Sequence, residues 1–264
     1  MYTDDALRQG WVRGLNAVSG KQSIELKHWL KVGTYAVESL STLDRIVLRP
    51  ADIAVPLGAL ACDVNRTCIS SIETAQSIAE VQGLPKSLAW MLIKLYYSSF
   101  FAANALLRIQ GVSCSYLDIE EVLSLRRVAH SYGMRDAAKI SSGQYLLTFD
   151  MAAREIVVEK NSRLASHEFV WSVYVAKIGE IRAKLSGALL ASAYVKKVDL
   201  VLASLQDALN DQGRVNGNWL SQVRNAVNYR QELGVWYPYQ GKRQAPRGEA
   251  RSRRQRELIP RCSH

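Results

Sequence analysis

The chain has 264 residues, 48% of them hydrophobic, so it can bury a substantial core and is not a disordered protein. Its formal net charge is +10, and residues 242–264, with eight basic and two acidic side chains, contribute +6 of that charge. No apolar run reaches the roughly 18 residues of a membrane span, and residues 1–10 contain no secretory signal. We therefore expect a soluble, cytoplasmic protein with no membrane partner.

In the first half of the chain, apolar residues recur at helical spacing. Residues 1–56 are predicted to form an N-terminal helical segment, in which this spacing runs from Leu26 to Leu40. Glycine and proline separate the helices that follow, because neither residue continues a helix well. The predicted helices span 57–82, 87–109 and Asp118–His130.

The period of the apolar residues changes to two at residues 144–159, which predicts a small β-hairpin inserted in a helical protein. Helical spacing returns over residues 168–209, either as two helices or as one bent helix. Asn218 is then positioned to cap a last helix, from Trp219 to Leu233.

Together these elements predict a mainly α fold, an antiparallel helical bundle with the small hairpin near residues 144–159 inserted in it. The arginine-rich end of the chain has almost no apolar residues, so we expect it to be disordered. The predicted division is a helical segment, a bundle and a basic tail, over residues 1–56, 57–240 and 241–264.

The cysteines and histidines have none of the spacings that bind zinc or build a disulfide framework. We predict buried free thiols, no metal and no cofactor, and we expect each histidine to be a surface or structural residue. The residues concerned are Cys62, Cys68, Cys114, Cys262, His28, His130, His167 and His264.

Two segments stand out from the rest of the helical pattern. Tyr96–Leu107 reads Tyr-Tyr-Ser-Ser-Phe-Phe-Ala-Ala-Asn-Ala-Leu-Leu, and Val223–Arg230 contains an arginine followed by an asparagine. Over about residues 59–235 the chain resembles the HEPN superfamily, the "higher eukaryotes and prokaryotes nucleotide-binding" helical bundles. Its members often have a Tyr-Tyr-x-x-Phe-x-Ala-x-x-Ala-Leu-Leu helix, and a late helix that carries an arginine, a polar residue and then a histidine.

Catalytic HEPN proteins are metal-independent RNA endonucleases, in which the arginine stabilises the pentacovalent phosphate and the histidine aids proton transfer. The resemblance therefore implies catalytic positions at Arg224, Asn225 and Tyr229. Tyr229 stands where the family histidine would be at its shortest spacing, and no histidine occupies the neighbouring permitted positions. A tyrosine is protonated at neutral pH and is a poor general base. The sequence therefore leaves open whether this protein is an enzyme.

Further residues near the motif are candidates for holding nucleic acid. Asn228 shares a helical face with Arg224, and Arg230 follows two residues later. In the alternative interpretation, Arg224 pairs with a carboxylate and Tyr229 packs in the core. The tail either binds nucleic acid through counterion release or is a solvated end. The arginines that we assign to nucleic-acid binding there are Arg251, Arg253, Arg254 and Arg256.

The leading hypothesis is thus a HEPN-like, RNA-directed protein, either a divergent endoribonuclease of a bacterial defence or toxin–antitoxin system or a relative that has lost cleavage. By the same resemblance we expect RNA and a second copy of the chain as partners, and a protein partner encoded nearby. Two alternatives are a noncatalytic helical scaffold and a nonspecific nucleic-acid binder that acts through its basic tail.

Overall fold

The computed structural model describes residues 8, 10–15, 18, 24–42, 44–79, 88–187, 193–210 and 217–230. Within these residues the chain is mostly helical. Its α-helices are α1 (Leu26–Val32), α2 (Ala54–Ala79), α3 (Leu88–Ile109), α4 (Ile119–Ser131), α5 (Ser166–Gly187), α6 (Ala193–Leu209) and α7 (Asn218–Asn228). None of these helices is both long and apolar enough to cross a lipid bilayer.

A five-stranded antiparallel sheet accompanies the helices. The predicted hairpin near residues 144–159 is confirmed as β4 and β5, but it is the middle of this larger sheet, so the prediction of a small hairpin was wrong in extent. The strands are β1 (Tyr35–Thr42), β2 (Arg45–Pro50), β3 (Val112–Leu117), β4 (Gly143–Asp150) and β5 (Glu155–Asn161), in the order β1-β2-β5-β4-β3.

The helical interpretation of the first 56 residues was wrong for β1 and β2. Helix α1 ends at Gly33, which has a φ of 76° and so takes the left-handed conformation that glycine adopts most easily. Beyond it, Tyr35 and Val37 are buried, two residues apart, as on one face of a strand. β2 then pairs with β5, with Ile46 opposite Val158. This long-range pairing, and not the helical spacing of the apolar residues, determines that these residues form strands.

β3 also lies where no strand was predicted. It follows α3 directly after Gly111, whose φ of 75° reverses the chain. All six of its residues pair with β4, from Val112 opposite Thr148 to Leu117 opposite Gly143. The end of α3, the most apolar of the long helices, is therefore fixed to the edge of the sheet.

The other predicted helices are confirmed with shifted ends. Residues 57–82 correspond to α2, residues 87–109 to α3, and Asp118–His130 to α4. The long pattern over residues 168–209 is two helices, α5 and α6. The first residue of the predicted helix 87–109 and the basic tail lie outside the described residues, and the division of the chain into domains stays a prediction.

The molecule has a main core between the sheet and the helices α1 and α4. Trp29 and Leu30 of α1, Leu125 of α4, and Ile46 and Leu147 of the sheet are among its buried residues. A separate core lies among the helices, where α3 contacts α2, α5 and α7. Both segments that resemble HEPN proteins belong to this helical part of the molecule.

Candidate functional site at the α3–α5–α7 junction

Helix α7 is fixed at both ends against its neighbours. Its N-cap, Gly217, has a φ of 68°, and a β-carbon there would lie 3.1 Å from Cβ of Trp171 in α5. Nε1 of Trp219 donates a hydrogen bond to the carbonyl of Ala208 in α6. At the other end, the fully buried Val227 packs against Ile93 of α3. These contacts fix the direction in which α7 presents its polar side chains.

Arg224 is the centre of the polar cluster on α7. Its Nη2 donates a hydrogen bond of 2.5 Å to the hydroxyl of Tyr97 in α3, and its Nη1 donates one of 2.8 Å to Oδ1 of Asn225. Its Cζ lies 5.5 Å from the ring centroid of Tyr97 and 4.8 Å from that of Tyr229. Two aromatic faces and two neutral oxygens thus hold the guanidinium in place.

No carboxylate neutralises Arg224 among the residues that the structure describes. Its Nε is buried and has no hydrogen-bond partner there. Burial is the largest single influence and disfavours its positive charge, but Tyr97 and Tyr229 together more than offset this effect, so the pKa of Arg224 lies above its usual value. The half-buried side chain therefore holds a full positive charge that no acidic neighbour in the described part of the chain cancels.

The alternative in which Arg224 pairs with a carboxylate and Tyr229 packs in the core does not describe this arrangement. Tyr229 is the C-cap of α7 and is 67% exposed, with its ring beside the guanidinium. Asn225 orients Arg224 through its side-chain oxygen. The three positions assigned to catalysis are thus in contact with one another.

A second polar group lies beside this cluster, on α5. His167 is in the first turn of α5, and its Nδ1 is 2.8 Å from the hydroxyl of Tyr96. The same hydroxyl accepts a hydrogen bond of 3.2 Å from Nε1 of Trp171. The His167 ring packs 4.4 Å from that of Phe100 and 6.2 Å from that of Tyr97, the tyrosine that Arg224 contacts.

Burial and a neighbouring charge shift the pKa values of these side chains. Burial lowers the pKa of His167, and the positive charge of Arg224 lowers it further. Burial also raises the pKa of Tyr96. His167 is therefore neutral at pH 7, while Tyr96 keeps its proton.

A pocket of about 450 Å³ opens beside Arg224. This volume is within the range of small-molecule sites, and its walls are mostly apolar and aromatic. Among its lining residues are Tyr96, Ser99, Trp171, Trp219, Val223 and Arg224. The guanidinium is thus a charged group at the edge of an aromatic cavity.

Two further predicted site residues lie at the C-terminal end of α7. Asn228 is half-buried at the last position of α7, and Arg230 is exposed just beyond it. Asn218 was predicted to cap this helix, but it is the first helical residue, and Gly217 takes the cap position. The four arginines assigned to nucleic-acid binding in the basic tail lie outside the described residues.

Sequence reasoning missed two members of the cluster as functional residues. Tyr97 is part of the Tyr-Tyr pair that carries the resemblance, but it was not among the predicted site residues. His167 was expected to be a surface or structural residue, because the histidines have no ligand spacing in the sequence. Only the packing of α5 against α3 brings it close to the cluster.

No protein-family model, curated protein or solved structure matches this chain. Its function therefore has to be inferred from the geometry around Arg224.

Proposed function

We propose that this chain is a HEPN-like, RNA-directed protein in which Arg224 binds a phosphodiester. The observation that carries the proposal is the hydrogen bond between Arg224 and Tyr97. Each residue belongs to one of the two segments that resemble the family, and 127 positions separate them in the chain. The two segments that carry the resemblance thus meet at one polar contact.

The chemistry of the guanidinium supports a phosphate ligand. Arginine keeps its charge at all physiological pH values and offers donors in a planar fork that matches phosphate oxygens. Here the hydroxyl of Tyr97 and the side chain of Asn225 hold the fork from one side. An anion that binds from solvent would contact a guanidinium that is already oriented.

An exposed aromatic ring beside Arg224 supports a nucleic-acid ligand over a simple anion. Tyr229, 67% exposed beside Arg224, offers a ring face on which a base can stack. Single-stranded RNA is typically held in this way, by aromatic stacking next to a positive charge.

The resemblance also motivates the biological setting that we propose. HEPN proteins usually form their groove from two copies of the chain, so the proposed working unit is a homodimer. Bacterial defence or a toxin–antitoxin system, in the cytoplasm and with a protein partner encoded nearby, is the proposed context.

The test is to incubate the purified protein with total RNA in EDTA. We expect fragments with 2′,3′-cyclic phosphate ends, and we expect Arg224→Ala to abolish them. Arg135→Ala is the matched control, because Arg135 is exposed in the 3-10 helix after α4, away from the site. Intact RNA at high protein excess, or equal cleavage by Arg224→Ala, would count against an RNA-cleaving site at Arg224.

A noncatalytic scaffold is the second candidate, and a specific surface favours it. A pocket of about 540 Å³ between α3, α5 and α6 is lined mainly by apolar side chains, and Leu106 in its wall is 47% exposed. Such surfaces often bind another protein. The scaffold hypothesis predicts that Arg224→Ala leaves RNA binding unchanged and only lowers the unfolding temperature.

A further inference from the structure

His167 and Arg224 lie against the same tyrosine from different helices. The ring centroid of His167 is 6.2 Å from that of Tyr97, and Cζ of Arg224 is 5.5 Å from that ring. The packing of α5 and α7 against α3 produces this proximity, although the two residues are far apart in sequence. A titratable imidazole and the proposed phosphate-binding group therefore share Tyr97 as a neighbour, and the charge of Arg224 acts on the imidazole.

We propose that His167 is the proton-transfer residue of the Arg224 site. The proposal rests on the proposed function and deepens it, because it supplies the acid–base group that Tyr229 provides poorly. Histidine is the side chain most often used for proton transfer at neutral pH.

The hydroxyl of Tyr96 makes His167 suitable for this role. Nδ1 of His167 lies 2.8 Å from the hydroxyl, which also accepts the N–H of Trp171. A hydroxyl can donate one hydrogen bond and accept others, so Tyr96 can pair with Nδ1 whether or not that nitrogen carries a proton. The imidazole keeps its orientation while Nε2 gains or loses a proton.

Nε2 is the nitrogen left for the substrate. It takes part in no hydrogen bond within the described residues, and it is not among their buried unpartnered atoms. The ring of Phe100, 4.4 Å away, limits rotation of the imidazole. His167 is thus positioned through Nδ1 and available through Nε2.

The reaction needs no co-reactant besides the RNA. Nε2 of the neutral ring takes the proton of a ribose 2′-hydroxyl as its oxygen bonds to the adjacent phosphorus. The bond from phosphorus to the 5′-oxygen breaks, and that oxygen takes the proton back from the imidazolium. The products are a 2′,3′-cyclic phosphate and a free 5′-hydroxyl, while Arg224 balances the charge on the pentacovalent phosphate.

Burial and the charge of Arg224 favour the neutral form of His167. The hydroxyl of Tyr96 and the ring of Tyr97 face it from α3, and Arg224 acts on it from α7; no carboxylate within the described residues forms an ion pair with His167. Burial, and then the charge of Arg224, hold the pKa of His167 below its usual value. Cleavage should therefore increase as pH rises through that pKa and be level at pH 7.

The test measures RNA cleavage by the wild type and by three full-length variants in EDTA. The measurements cover pH 4.5–8 in steps of about half a pH unit. His167→Gln removes the titrating group, and Tyr96→Phe removes only the hydroxyl that holds it. His130→Gln is the matched control, because His130 is exposed on α4, outside this cluster. Circular dichroism checks that each variant is folded, and RNA affinity is measured separately.

We expect His167→Gln to lower kcat by on the order of 10² to 10⁴, with RNA affinity unchanged and the acid limb of the pH profile lost. We expect a smaller loss for Tyr96→Phe and none for His130→Gln. NMR titration of the imidazole provides a readout besides activity: in Arg224→Gln, the pKa of His167 should rise because a neighbouring positive charge is gone.

Failure of this proposal can be distinguished from failure of the proposed function. If the wild type cleaves RNA, Arg224→Ala does not, and His167→Gln keeps the wild-type rate and pH profile, then His167 has no proton-transfer role and the RNA site stands. If RNA binds through Arg224 but is not cleaved, the role of His167 is again overturned. A wild type that neither binds nor cleaves RNA overturns both.

Discussion

The hydroxyl oxygen of Tyr97 accepts a hydrogen bond from Nη2 of Arg224 at 2.5 Å, across 127 residues of the chain. It links α3, the most apolar of the long helices, to α7, which carries the candidate phosphate-binding arginine. Since hydrogen bonds to charged groups are stronger than neutral ones, this contact is expected to contribute both stability and orientation.

Removing the Tyr97 hydroxyl should therefore affect both properties. We expect Tyr97→Phe to lower the free energy of unfolding by about 1.5 kcal/mol and to weaken RNA binding, because the guanidinium loses one of its two oxygen partners. Urea unfolding and RNA titration measure these effects. Tyr132→Phe, at a residue 55% exposed after α4, is the control and should change neither. Equal behaviour of the two variants would refute the orienting role.

Replacement by alanine should destabilise the protein more at Gly217 than at Gly133, although both glycines have a positive φ. Gly133 has a φ of 77° and open space where a β-carbon would lie. Gly133→Ala should therefore lower the free energy of unfolding by only about 1 kcal/mol, because alanine is less stable than glycine in the left-handed conformation. Gly217→Ala also places a β-carbon 3.1 Å from Trp171 and should cost about 2 kcal/mol or more. Chemical denaturation of both variants measures the difference. Equal losses would mean that α7 is not held closely against α5.

The buried pair of Asp63 and Arg108 should matter more for stability than a surface pair. Their side chains are 6% and 11% exposed, with Oδ2 of Asp63 4.0 Å from Nε of Arg108. Asp63→Ala leaves a buried guanidinium without this partner and should cost about 3–5 kcal/mol. The control is Asp136→Ala, which breaks an exposed pair with Lys139 and should cost about 0.5 kcal/mol or less. Thermal unfolding that ranks these variants in the opposite order would contradict the prediction.

Cys114 should be the least reactive thiol within the described residues. It is buried on β3, and burial raises its pKa to about 12, so it is protonated at pH 8. Cys62 and Cys68 are only half-buried. N-ethylmaleimide followed by mass spectrometry should therefore label Cys114 last in the native protein and all three equally in denaturant. Early labelling of Cys114 without denaturant would show that β3 opens readily.

The sequence was sufficient to predict the elements with strong and well-bounded patterns. Helix α3 has a broad apolar face and ends at a glycine, and β4 and β5 alternate buried and less buried residues on either side of a short turn. In such segments the local pattern and the tertiary environment favour the same structure.

The sequence was misleading where tertiary pairing decided the outcome. Val37 and Leu40 continue the helical spacing of Leu26 and Trp29, although Gly33 separates the two groups. The strand is formed because β2 pairs with β5, more than 100 residues away, and β1 pairs with β2. A periodicity that fits a helix carries no information about such a partner.

The site was predictable only in its local part. Arg224, Asn225 and Tyr229 lie within two turns of one helix end, so their contact follows from helix geometry. Tyr97 and His167 join them because three helices pack together at one place, which no spacing along the chain encodes. The resemblance included Tyr97 in its motif without assigning it to the site, and it gave no indication of His167.

The most direct measurement is the affinity of wild type and Arg224→Ala for a fluorescent single-stranded RNA, as a function of salt. If Arg224 binds a phosphate, the variant should bind more weakly, and the slope of log K against log salt should fall by about 0.7, the value for one lost contact on a single strand. Identical affinities and slopes for the two proteins would contradict the assignment of Arg224 to RNA.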